Sequence, residues 1–176
     1  MRKLMIALLL LVQLVSFGQQ FSFVPYSGIR DSKDQSKDYI AFNFPNMSSG
    51  DIKAAVVSKL SSLYNSPKDV INSIGDNVIS LDASVIGLFY RKAGNDTYKV
   101  DADFTMTIHI KEGKIRYDAP VFHQLYYNTF MGRLRMDMTQ KIYYLIEEDS
   151  ERSSTVNYFN NLVSELNTAI SKSNDW

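Results

Sequence analysis

The sequence predicts an α+β fold, an antiparallel sheet of about five strands with two helices packed on one face. Three observations carry the expectation. Residues 97–111 alternate without a fault: Phe104, Met106, Ile108 and Ile110 point one way, and Thr105, Thr107, His109 and Lys111 the other. Two segments instead repeat their apolar residues every three or four positions, Ile52-Val56-Leu60-Leu63 and Val156-Phe159-Val163-Leu166-Ile170. Short turns at Gly75-Asp76, Ala93 to Asp96 and Glu112-Gly113 separate the central alternating runs, as consecutive antiparallel neighbours require.

Taken in order, the chain opens with Arg2 and Lys3 ahead of an apolar run from Leu4 to Val12, closed by Ser16-Phe17-Gly18. A short basic region, a short apolar core and a small-residue exit are the pattern of a secretory signal peptide over residues 1–18. The run is too short for a membrane span, which needs about 20 apolar residues. Cleavage near Gly18 would leave an exported chain, periplasmic or secreted, with no transmembrane span. Residues 19–37 hold an aromatic patch, Phe21, Phe23 and Tyr26, then a Ser/Asp/Lys-rich stretch, and read as a flexible leader that could order on contact with a partner.

A single domain is expected over residues 38–171, with a frayed tail at 172–176. Tyr39 to Phe44 alternates as a half-buried strand and stops at Pro45. Ser48 with Asp51 three positions on marks a helix start. Asn65-Ser66-Pro67 ends that helix, because a residue before proline avoids helical geometry. Four strands should follow: Asp69 to Ile74, Val78 to Arg91 with Ile79, Leu81, Val85 and Phe89 inward, Thr97 to Lys111, and Lys114 to Val121 with Ile115 and Tyr117 inward. Residues 122–148 follow neither period. The closing helix is expected from about Ser153 to Ile170. No internal repeat or low-complexity tract interrupts the chain.

Composition excludes several functions. The chain carries 19 basic and 19 acidic residues, and the signal removes two basic ones, so no positive surplus is left for phosphates; nucleic acid is not an expected partner. With 0 cysteines there is no disulfide, no thiolate and no Cys-based metal site. The 2 histidines, His109 and His123, match no ligand spacing, and His109 falls on the polar side of a strand. There is no Gly-x-Ser-x-Gly, no Ser-x-x-Lys with partners and no Gly-rich phosphate loop. Glu147-Glu148-Asp149 could hold a cation, but acidic residues at a helix start also favour the helix dipole. No catalytic residue, cofactor or metal is expected.

One segment stands out. Tyr126, Tyr127, Arg133, Arg135, Tyr143 and Tyr144 lie in a Met-rich stretch whose residue types are enriched at contact surfaces. The same residues would also serve simply to cover the sheet. The expected function is a non-enzymatic envelope binding module for a protein, peptide or glycan. Second comes a carrier of a small hydrophobic ligand, with a pocket between sheet and helices lined by Phe104, Met106 and Met136. A hydrolase with an unrecognised site ranks last.

The order strand, helix, four-stranded meander, helix is also the layout of a TATA-binding-protein (TBP)-like fold. The Pro45-Asn46-Met47-Ser48 helix start, Pro67-Lys68-Asp69-Val70-Ile71, and Ile108 through Arg116 with its Lys111-Glu112-Gly113-Lys114 turn resemble the secreted bacterial domains of unknown function that have this fold. The resemblance spans residues 38–125 and the closing helix. It implies fold and envelope location and brings no catalytic residue. It does not imply DNA binding, since a fold does not fix a function.

Overall fold

Alternation along the central strands does what it should: it builds one sheet with an apolar and a polar face. The computed structural model describes residues 19–129, 131–136 and 142–173. The expected signal peptide lies outside the described residues. The elements are β1 (Phe21–Val24), β2 (Gly28–Asp31), β3 (Tyr39–Asn43), α1 (Ser49–Leu63), α2 (Pro67–Val70), β4 (Ile71–Ile74), β5 (Val78–Ala93), β6 (Asp96–Lys111), β7 (Lys114–Asp118), β8 (Val121–Thr129), β9 (Gly132–Arg135), α3 (Ile142–Leu145) and α4 (Asp149–Ser173).

Among the described residues the main sheet has 7 strands rather than about five, in the order β3-β7-β6-β5-β4, all neighbours antiparallel. β8 shares the edge of β6 with β7: β7 pairs Ile108 to Lys111, β8 pairs Lys99 to Thr105, and β9 pairs β8. The two extra strands come from the segment without a period. A register shift between Asp103 and Phe104 leaves His123 as the additional residue, so Gln124 and Leu125 are both buried and the alternation that would announce a strand is lost. β9 is exposed throughout and had no apolar face to read. Pro120 has no N–H to give, and the β6 ladder on this edge is interrupted at Met106 and Thr107, between the last pair with β7 and the first with β8.

α1 and α4 pack together on the apolar face. Ser48 caps α1, its hydroxyl accepting from the Asp51 N–H at 3.1 Å. The buried stripe of α1 is Ile52, Ala55, Val56 and Leu60; Leu63, expected in it, is 40% exposed because it sits on the last turn. Along α4 the stripe is Phe159, Leu162, Val163, Leu166 and Ile170, with Val156 only half-buried. α2 replaces the start of the strand expected from Asp69, since Pro67 suits a first helical turn, and β4 begins at Ile71.

The largest departure lies at residues 19–37. Instead of a flexible leader, β1 and β2 form an antiparallel hairpin, with Phe21 and Ile29 buried in the common core. Asn160 of α4 holds Phe21 at both ends: its Oδ1 accepts from the Phe21 N–H at 2.8 Å and its Nδ2 donates to the Phe21 carbonyl at 3.1 Å. Gly28 sits at φ +86 with the Tyr143 ring 2.8 Å from where a Cβ would stand. The polar composition of 30–37 had masked a strand pair too short to show a period.

Candidate functional site

The polar residues of β5, β6, β7 and β8 share the sheet face that α1 and α4 leave open, and three side-chain networks order it. The first lies at the β8–β9 hairpin. Tyr126 and Arg135 are directly opposite each other, and the Arg133 guanidinium stacks over the Tyr126 ring at 4.0 Å. Arg133 bridges two carboxylates, Asp101 at 3.2 Å and Asp103 at 3.5 Å. Asp101 is 1% exposed and also accepts the Gly87 N–H at 2.8 Å. That amide is free because β5 bulges between Val85 and Phe89, with Gly87 at φ +74 and the Lys99 side chain filling the space of a Cβ. Asp103 accepts from Ser84 at 2.5 Å and from the Tyr126 hydroxyl at 2.7 Å. Burial pushes the Asp103 carboxyl upward, but these two bonds and the charge of Arg133 outweigh it and hold it below its ordinary value. Arg135 donates to the Gln124 side chain, which in turn donates to the carbonyls of Leu125 and Met136 at 2.8 and 3.0 Å.

The second network is a chain of three. His123 Nε2–H donates to the Thr105 hydroxyl at 2.6 Å, and that hydroxyl donates to Asp82. The bond from Thr105, with others from Asn72 and Ser80, lowers the Asp82 carboxyl. The third is His109, whose Nε2–H donates to Asp118 at 2.9 Å. Arg116 Nε pairs the other Asp118 oxygen at 2.9 Å while its guanidinium stacks 5.0 Å above the Tyr39 ring. Between the second and third networks lies a groove of about 440 Å³, lined by Tyr39, Thr105, Thr107, Arg116, Asp118 and Val121 among others. It opens where Pro120 breaks the ladder.

The six residues singled out in the sequence therefore separate. Tyr126, Arg133 and Arg135 meet on the open face. Tyr127 points to the opposite side, its ring 5.4 Å from Tyr98, at a second hollow of about 670 Å³ that Met131 and Leu134 also line. Tyr143 is packed between Phe23 and Phe122 and donates its hydroxyl to the Pro120 carbonyl at 3.1 Å. Tyr144 rests against Tyr26 at the hairpin tip, 5.4 Å between rings. The residues that sequence reasoning missed are the acceptors, Asp82, Asp101, Asp103 and Asp118. Their signal was present, as aspartates on the outward positions of β5, β6 and β7, but it is also the pattern of any solvated strand face.

The residues expected to line a hydrophobic pocket are packed into the core. Phe104 and Met106 are 1% and 0% exposed, and the Phe159 ring meets Phe104 edge-on at 5.0 Å. Met136 is likewise buried. His109 does lie on the polar side of its strand, where it pairs with Asp118. At the start of α4, the carboxylate that acts is Glu151: it accepts from the Glu147 N–H at 3.0 Å and pairs Arg91 at 2.6 Å. Among the described residues, no three His, Asp or Glu side chains gather as metal ligands, and no helix is long and apolar enough to cross a membrane.

No family model matches the chain, and no curated protein matches it. Solved structures do. A TBP-like protein from Parabacteroides distasonis superposes with a TM-score of 0.53 at 13% identity, covering 76% of this chain and 90% of that one. A DUF4468 family protein from Bacteroides ovatus gives a TM-score of 0.47 at 10% identity, over 75% of this chain and 84% of its own. Strand order, helix placement and the first of these likenesses together identify the fold as TBP-like.

Proposed function

We propose that the chain is a non-enzymatic, exported binding module that holds a protein, peptide or glycan partner on the open face of its sheet. One observation carries the reading: that face presents stacked and hydrogen-bonded side chains, Arg133 on Tyr126 and Arg116 on Tyr39, fixed in advance by buried or half-buried carboxylates. Side chains held in place before contact lose less rotamer freedom on binding, which favours affinity. Planar guanidinium and phenol groups are also the types that dominate contact energies.

The test is native mass spectrometry of the mature protein drawn gently from the envelope of its own host, beside a variant carrying Tyr126→Ala and Arg135→Ala. Arg133 stays in place because it partners the buried Asp101. The expected result is an associated mass at fixed stoichiometry in the parent and its loss in the variant. No associated mass in either protein overturns the reading, and a mass retained unchanged by the variant overturns the placement of the contact at Tyr126 and Arg135 rather than elsewhere on the open face.

A further inference from the structure

We infer that the groove beside Pro120 is a subsite for a neutral polyhydroxylated ligand, a glycan unit. This rests on the binding-module reading above and narrows its partner to one class. The groove walls carry two carboxylates, Asp38 and Asp118, and one guanidinium, Arg116. Asp118 is already shared between His109 Nε2 at 2.9 Å and Arg116 Nε at 2.9 Å. An anionic ligand would face both carboxylates. A cationic ligand would find Asp118 already held by two partners, leaving only Asp38 to pair, and would meet the Arg116 charge on the same wall. A purely apolar ligand would strip water from Thr105, Thr107 and Asp118 and give no bond in return.

A sugar ring meets none of these objections. Its hydroxyls both donate and accept, and the site offers both kinds of group. Arg116 uses only part of its fork of five N–H donors on Asp118, and its guanidinium lies over the Tyr39 ring, 5.0 Å from the centroid. Thr107 adds a hydroxyl at the groove floor, on the stretch where the β6 ladder is interrupted. Val121, 56% exposed, supplies an apolar flank for the C–H face of a ring. A volume of about 440 Å³ falls in the ordinary range of ligand sites, and a few fixed polar groups on a partly apolar wall are the ordinary makeup of one.

The experiment is amide NMR of the mature chain titrated with maltohexaose, cellohexaose, xylohexaose and chitohexaose, with polygalacturonate as the anionic comparison and an uncharged Gly/Ser/Asn hexapeptide as the peptide comparison. Saturable shifts at Thr107, Arg116 and Val121 with at least one neutral oligosaccharide are expected. Thr107→Val, which keeps the branched shape a strand favours, should weaken that binding about tenfold, because a ligand hydroxyl is left unpaired. Tighter binding of polygalacturonate or of the peptide overturns the ligand class. Shifts confined to Tyr126 and Arg135 overturn the location while leaving the open-face reading standing. No shift with any neutral oligosaccharide overturns the glycan assignment, and a protein partner found by mass spectrometry would then still support the broader proposal.

Discussion

Replacing Arg91 by Met should cost this domain much of its stability. Arg91 reaches from β5 to the start of α4, where its Nε and one terminal nitrogen grip both oxygens of Glu151 at 2.7 and 2.6 Å, and it also donates to the Leu145 carbonyl. The Glu151 side chain is 1% exposed and Arg91 16%, so the pair is out of water. Methionine would leave Glu151 with only neutral donors, the backbone N–H groups of Glu147 and Glu148. Orphaning one member of a buried pair costs about 3–5 kcal/mol. Against a usual total of about 5–15 kcal/mol that is a fifth or more of the reserve, and it corresponds to a fall in Tm of about 6–20 °C. Urea unfolding followed by circular dichroism measures it. The double variant Arg91→Met, Glu151→Leu should recover part of the loss, since an apolar pair can replace a buried ion pair at little cost. A single-variant loss below about 1 kcal/mol, or a double variant equal to the sum of the two singles, would refute the reasoning.

Two further outcomes are expected. Gly28→Ala puts a Cβ at positive φ against the Tyr143 ring, so it should destabilise by about 1–3 kcal/mol and speed proteolytic cutting between Val24 and Asp31; unchanged cutting would show that the hairpin does not depend on this contact. Asp82 and Asp103 have lowered carboxyls in the folded chain, so their contribution is present above the unfolded value of about 4 and is lost as pH falls through the folded values. Asp103→Asn should therefore flatten the decline in stability below about pH 4, read from urea midpoints across pH, and an unaltered acid limb would count against the Asp103 network.

Where one face of an element is buried and the register unbroken, the sequence was readable. Phe104, Met106, Ile108 and Ile110 are all buried as their alternation predicts, and Ser48 caps α1 where the Ser/Asp pair placed it. Reading failed where a local irregularity shifts parity. The register shift beside His123 buries two successive residues of β8, and the β5 bulge at Gly87 buries Leu88 and Phe89 together. The candidate site was half legible for a related reason. Aromatic and arginine types flagged 126–144, but composition cannot tell which strand face a residue takes, and Tyr127 and Tyr143 turn inward or sideways into packing. The acidic partners of Arg133 come from β6, more than twenty residues upstream, and only pairing brings them near. Hairpin β1–β2 was missed because its reasons to be ordered, Asn160 and Tyr143, are at the other end of the chain.

That last contact bears on the order of folding. Phe21 and Asn160 are 139 positions apart, so the β1–β2 hairpin is made early in synthesis and its docking partner is made near the end. Contacts of such separation form late, because the intervening chain must first be closed into a loop. Until α4 exists, Phe21 and Ile29 have no helix to lie against, and the hairpin end of the chain stays accessible to whatever handles it first, a protease or a chaperone. Chains truncated before Asn160 should therefore display an apolar N-terminal end, however complete their central sheet.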